Sequence, residues 1–213
     1  MKGRKFLVLA TCAVFAASVG SLGLYRALLT QKPVIILAKE YPSIGQDQAP
    51  VEIVVFEDLL CHTCRYFSME VFPAIESTYV DRGVAKYSMV PLAFSSQSRE
   101  MANAALAVYH QAPQYFFPFI RELFSRFSEK LDLNELIEIA SQFRGIDLPV
   151  FEASVKAGRY DPQLEHNLHV ANKAMKKNLR TPAVFINGYP LPGISFESIS
   201  LRIDAILSGR EGG

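Results

Sequence analysis

Cys61 and Cys64 stand three positions apart, with His62 and Thr63 between them. Two thiols at that spacing on a helix N-terminus can close a small disulfide ring. The first turn of such a helix presents unpaired N–H groups and the positive end of its dipole, and both favour a thiolate over a thiol. The chemistry this predicts is dithiol–disulfide exchange. A zinc site is not expected, because Cys61, His62 and Cys64 form one short cluster and do not supply four tetrahedral donors. No metal or separate cofactor is called for beyond the redox-active Cys61–Cys64 pair.

A strand must end and a helix begin at this pair. The run VEIVVF, Val51 to Phe56, is rich in β-branched residues and bounded by turn signals, as suits a buried strand. Phe67, Val71, Ile75 and Tyr79 then recur every four residues and mark one face of a helix from Cys64 to Tyr79. Pro73 lies inside that run and should kink the helix without abolishing it. Asp81-Arg82-Gly83 ends it, and Val84 to Val90 reads as a second strand. The β-α-β unit so formed puts the thiols at the C-terminal end of its first strand, where reactive groups collect in open α/β sheets. Segments 101–110, 115–127, 133–143, 149–157 and 162–179 read as helices between Gly or Pro punctuation. A strand over 183–186 follows, closed by the hairpin dipeptide Asn187-Gly188, and an amphipathic helix runs over 195–207. The expected architecture is an α/β sheet with an all-helical insertion.

The N-terminus carries an export signal. Lys2, Arg4 and Lys5 precede about 19 charge-free, mostly apolar residues from Phe6 to Leu24. Small residues at Ala16-Ala17-Ser18 suit a peptidase cut, while the length approaches a bilayer span, so residues 1–30 read as a cleaved signal peptide or an N-terminal membrane anchor. Either outcome places the body outside the cytoplasmic membrane, in a periplasm or on the outer face. Residues 31–43 read as a linker whose apolar piece, Val34 to Leu37, is a candidate edge strand. The chain has 213 residues, half of them apolar, and a net charge of +1, which gives no electrostatic reason to expect nucleic acid as a partner. Of its three cysteines Cys12 falls in the export segment, so the folded body holds one pair and its stability must come from its core.

The strand–CxxC–helix unit, the Thr181-Pro182 dipeptide and the Asn187-Gly188 hairpin together resemble the thioredoxin superfamily. The helical insertion narrows the resemblance to the DsbA-like branch of exported thiol:disulfide oxidoreductases. APVEIVVFEDLLCHTC and TPAVFING are similar to that branch's two signature blocks, with Asp58 in its usual place before the thiols. The resemblance implies a thioredoxin-like domain from 44–94 and 181–210, a helical insertion over 95–180, and a cis peptide bond at Pro182 beside the sulfurs. It also implies exported protein substrates and a membrane redox partner. That partner is a quinone-linked oxidase if the protein oxidises, or a DsbD-like reductant if it reduces or isomerises. A thioredoxin-fold binding module or chaperone with incidental thiols is the reading from another class.

Roles follow for named residues. Cys61, capping the helix, is expected to be the exposed nucleophile, and Cys64, one turn in, the buried resolving thiol. His62, if protonated, would favour the thiolate and stabilise the reduced form; otherwise it is an exposed loop histidine. Thr63 either donates to a sulfur or simply fills the first helical turn. Thr181 and Pro182 are expected to offer backbone to an extended substrate. Many thioredoxin-like proteins place a buried acid six residues before the first cysteine, where this chain has Val55. Glu57 shares a strand face with Val55 and is the candidate substitute. His166 and His169 read as surface histidines, and Lys173, Lys176, Lys177 and Arg180 as a solvated helix face. Tyr115, Phe116, Phe117, Phe119 and Phe124 read as core of the insertion that can also edge the substrate groove.

Overall fold

The computed structural model describes residues 33–126 and 131–209. The segment predicted to direct export, with Cys12, lies outside the described residues. A five-stranded sheet in the order β1-β3-β2-β4-β5 carries the site. Strand β2, Val51–Asp58, is its centre, paired in parallel with β3, Ala85–Leu92, and antiparallel with β4, Ala183–Ile186. Short strands β1, Ser43–Ile44, and β5, Tyr189–Pro190, form the two edges.

Period-two alternation sorts the strand residues between two apolar layers. Ile53, Val55, Tyr87, Met89, Val184 and Ile186 face one layer. Val54, Phe56, Val90, Leu92, Ala183 and Phe185 face the other. Both faces are covered, which is why β2 and β3 read as near-continuous apolar runs. The first layer is continuous with the interior of the helical segment and contains Phe116, Phe119, Phe124 and Phe151, all fully buried. The aromatic group predicted to be core is therefore core, although Tyr115 and Phe117 are only partly buried.

The helix after β2 runs through 62–80 in four pieces: α1 at His62–Tyr66, a π-helical turn at Phe67–Val71, α2 at Phe72–Ile75, and a second π turn at Glu76–Val80. Pro73 is responsible for the first wide turn. It has no N–H to donate one turn back, and its ring would press on that turn's carbonyl. A looser turn with the Phe72 N–H bonded to the Phe67 carbonyl relieves both problems. The expected kink is thus absorbed as a widening.

Helices α3 (Ser96–Gln111), α4 (Phe116–Ser125), α5 (Leu133–Ser141), α6 (Leu148–Lys156) and α7 (Asp161–Ala174) follow. Ser95 and Asp132 start α3 and α5 with reciprocal capping boxes, and Asp147 caps α6. Helix α8, Phe196–Leu207, closes the chain. Asn187 and Gly188 turn β4 into β5 with φ of 48° and 80°, the left-handed pair a tight hairpin needs.

Two expectations are corrected. Helix α7 stops at Ala174, and Lys176 and Lys177 adopt φ of 52° and 66°. Met175 and Leu179 still pack on the second layer, so their four-residue spacing is met by turns after the helix. Lys176, Lys177 and Arg180 are exposed beyond the helix, and only Lys173 lies on it. Residues 34–37 form no strand; the Val34 N–H donates to the Gly188 carbonyl at the β4–β5 turn, and β1 edges the sheet on its other side, beside β3. Ile36, Ala38 and Tyr41 are buried in the second layer, so this stretch is docked along the sheet.

Candidate active site

The end of β2 is tied down by the carboxylate of Asp58. Its two oxygens accept from the N–H of Leu60 at 2.8 Å and of Phe94 at 2.9 Å, while its carbonyl accepts from the N–H of Cys61 at 3.0 Å. One side chain thus fixes the turn into α1 and the loop after β3. Asp58 belongs to the site's framework, and its place in the signature block was the only sign of that in the sequence.

Cys61 is the N-cap of α1, with extended backbone, and its sulfur accepts from the Cys64 N–H at 3.4 Å. Cys61 is half-buried; Cys64 is fully buried; both are free thiols. On the other side the Cys61 sulfur lies 3.5 Å from the Thr181 carbonyl, to which its thiol form donates. The Thr181–Pro182 peptide bond is cis, and Pro182 is buried beside the half-buried Thr181. The chain therefore brings together Cys61, Cys64 and Thr181-Pro182 across 120 residues of sequence.

The surroundings split the two thiols. The Cys61 thiol is lowered from 9.0 to about 5, first by the hydrogen bond from the Cys64 side chain, with burial opposing and with Thr181 and the backbone of Cys64 and Thr63 assisting. A helix end supplies at most ~2 kcal/mol, and at about 1.4 kcal/mol per tenfold change that moves a thiol by little more than one pH unit. Direct hydrogen bonds must carry the rest. The Cys64 thiol is pushed far the other way by burial and by its hydrogen bond to Cys61, with the charges of Glu57 and Cys61 adding to the rise. One sulfur is a thiolate near neutral pH, and its neighbour holds its proton.

Thr63 acts through its backbone N–H, and both His62 and Thr63 are exposed at the rim. Val55 is buried in the apolar layer and offers no acid. Glu57, two residues on, is fully buried and accepts from the hydroxyls of Ser68 at 2.8 Å and Tyr87 at 2.9 Å. Neither hydroxyl was identifiable as a partner from the sequence. Their only signals are position: Ser68 falls one helical turn after Cys64, and Tyr87 sits on the strand beside β2. His166 is exposed and lies 3.8 Å from Glu40, and no group able to hold a metal exists among the described residues.

A family model described as thioredoxin matches residues 38–205. Disulfide bond formation protein D of Bacillus subtilis is 26% identical over 179 residues, covering 81% of this chain and 79% of that protein. The crystal structure of DsbA from Chlamydia trachomatis superposes with a TM-score of 0.76 at 26% identity, covering 86% of this chain and 98% of that one. Oxidised BdbD from Bacillus subtilis gives 0.75 at 26% identity, covering 84% and 97%.

Proposed function

The chain belongs to the thioredoxin family and, within it, to the DsbA-like thiol:disulfide oxidoreductases, and from that premise we propose that it oxidises the thiols of exported proteins through Cys61 and Cys64. In this reading a substrate thiolate attacks the Cys61 sulfur of the Cys61–Cys64 disulfide, and Cys64 leaves and takes up a proton. A second substrate thiolate attacks its partner sulfur in the mixed disulfide, Cys61 departs as thiolate, and the substrate keeps the new disulfide. A membrane quinone-linked oxidase then takes the electron pair from the dithiol. Thr181 and Pro182 offer backbone to the extended substrate, and Phe94, half exposed and tied to Asp58, supplies apolar surface for unfolded chains. The work is done outside the cytoplasm, after export directed by residues 1–30.

The observation that carries this direction is the depressed Cys61 thiol. A thiolate stabilised only when the pair is reduced makes the disulfide easier to reduce and hence more oxidising, and a low leaving-group pKa speeds its release. The relative's name, a disulfide bond formation protein, supports the same direction. The test is equilibration of the exported body with glutathione buffers while the thiol state of Cys61 is followed by alkylation. An equilibrium potential above that of glutathione is expected. A value well below it would exclude the oxidase and favour the reductase or isomerase kept reduced by a DsbD-like donor.

A further inference from the structure

Five of the 22 Lys and Arg lie before residue 33 and none of the 21 Asp and Glu does, so the rest of the chain is net acidic. Within it the stretch from His166 to Phe196 holds no acid at all. Its four Lys and Arg gather at one place, Lys173, Lys176, Lys177 and Arg180, directly before Thr181. All four are exposed, and none pairs with an acidic side chain among the described residues. The backbone holds them outward. Helix α7 ends in a Schellman turn: the Lys177 N–H donates to the Asn172 carbonyl at 2.9 Å and the Lys176 N–H to that of Lys173 at 3.4 Å. Lys176 and Lys177 take φ of 52° and 66° there, the region that glycine occupies most readily. Ala174, Met175 and Leu179 turn into the second layer. Charge faces solvent, and the apolar side chains of the segment face the core.

This segment adjoins the reactive sulfur on one side. Strands β3 and β4 flank β2 on opposite sides, and the exit from β3 and the entry to β4 both lie at the β2 end that leads to Cys61. Thr181, two residues before β4, reaches the Cys61 sulfur with its carbonyl at 3.5 Å. Phe94, two residues after β3, is held by Asp58 and half exposed. Lys177 stands four residues before Thr181, so chain length alone keeps the two backbones within about 14 Å. The mouth of the site is thus apolar on the β3 flank and basic on the β4 flank. We propose that Lys176, Lys177 and Arg180 select substrates: the protein prefers cysteines with Asp or Glu close by in sequence, whose carboxylates pass along this turn while the substrate backbone lies beside Thr181. The inference rests on the exchange reading and names the class of client that reading leaves open. A bilayer is the other anionic surface to consider. Peripheral membrane contacts insert apolar side chains, however, and those of this segment point inward.

The selection is electrostatic, so it is modest in size and sensitive to salt. Exposed ion pairs are individually weak, but three cations facing one acidic segment act together and also speed its encounter. Their combined effect is a preference of about tenfold at low salt for an acidic flank over an amide one. Screening over ~3 Å at about 1 M salt removes most of it. The two left-handed lysines fit this role. Glycine at either position would hold the turn with less strain but would supply no charge.

The test uses dithiol peptides that differ only in the residues flanking one cysteine, acidic in the first, amide in the second and basic in the third. Each is oxidised by the full-length protein in its disulfide form, and kcat/KM is measured for wild type and for the combined variant Lys176→Gln, Lys177→Gln and Arg180→Gln. Dividing the acidic-to-amide ratio of wild type by that of the variant cancels the thiol reactivity intrinsic to each peptide. The quotient should be about tenfold at low salt and approach one at about 1 M, with the basic peptide showing the inverse. Lys176→Gly and Lys177→Gly guard against misfolding: each should melt at or above the wild-type temperature while losing part of the preference. A quotient near one at low salt would overturn the proposal, whether the variant matches wild type or is slowed equally on all three peptides. If phosphatidylglycerol vesicles then slow wild type but not the variant, a lipid surface is the occupant. Failure of wild type to oxidise even the amide peptide, which needs no cations, would sink the exchange reading and this preference with it.

Discussion

Cys61→Ser is expected to reduce disulfide exchange with protein substrates by at least about a thousandfold, to the background of the assay. The hydroxyl cannot form the mixed disulfide through which every turnover passes, and it does not ionise near neutral pH. The fold should survive, because Cys61 is half-buried at a helix cap and serine is itself a preferred N-cap. Insulin reduction and refolding of reduced ribonuclease, read alongside a melting curve, check both halves of the statement. A folded Cys61→Ser protein that keeps its biological role without exchange activity would point to a binding module or chaperone.

Cys64→Ala is expected to do two things. With Cys64 gone the ring disulfide cannot form and oxidation of substrate thiols stops. A mixed disulfide made when the Cys61 thiolate attacks a substrate disulfide then has no thiol within the protein to resolve it, so that adduct accumulates until reductant cleaves it; its mass identifies it. The second effect is electrostatic. The first cause of the low Cys61 value is the hydrogen bond from the Cys64 side chain. A hydrogen bond to a charged group contributes ~1.5–3 kcal/mol, so its loss should raise the Cys61 titration midpoint by about one to two pH units. The adduct should therefore form more slowly below neutral pH than the wild-type pair reacts. An unchanged midpoint would assign the low value to the helix end and backbone instead.

What the sequence made legible was local. Val51 to Phe56 announced a buried strand because both faces of β2 are covered, and Cys61 announced a helix cap because a run of four-residue apolar spacing follows it. Asn187-Gly188 announced its hairpin because few residues accept two left-handed positions in succession. What stayed hidden depends on contacts across the chain. The Cys61 sulfur meets Thr181 only through pairing of β4 with β2, and nothing near either residue encodes that approach except the resemblance. Glu57 was visible as a residue on the right face, but its partners Ser68 and Tyr87 lie 11 and 30 positions away on separate elements. Helix α7 was read too long because Met175 and Leu179 keep helical spacing while the backbone turns left-handed between them. Burial can satisfy a periodic pattern without a helix.

The central claim is that one sulfur of the pair is ionised near neutral pH and its neighbour is not. The most direct measurement follows thiolate absorbance and alkylation of the reduced protein across pH, with mass mapping of the labelled site. The account predicts a single transition with midpoint near pH 5, label on Cys61 alone through neutral pH, and its loss in Cys61→Ser. Because the folded value lies below the ordinary thiol value of 9.0, the stability the thiolate adds to the reduced protein should be complete above about pH 9 and vanish as pH falls through about 5. A midpoint at the ordinary thiol value, or first label on Cys64, would contradict it.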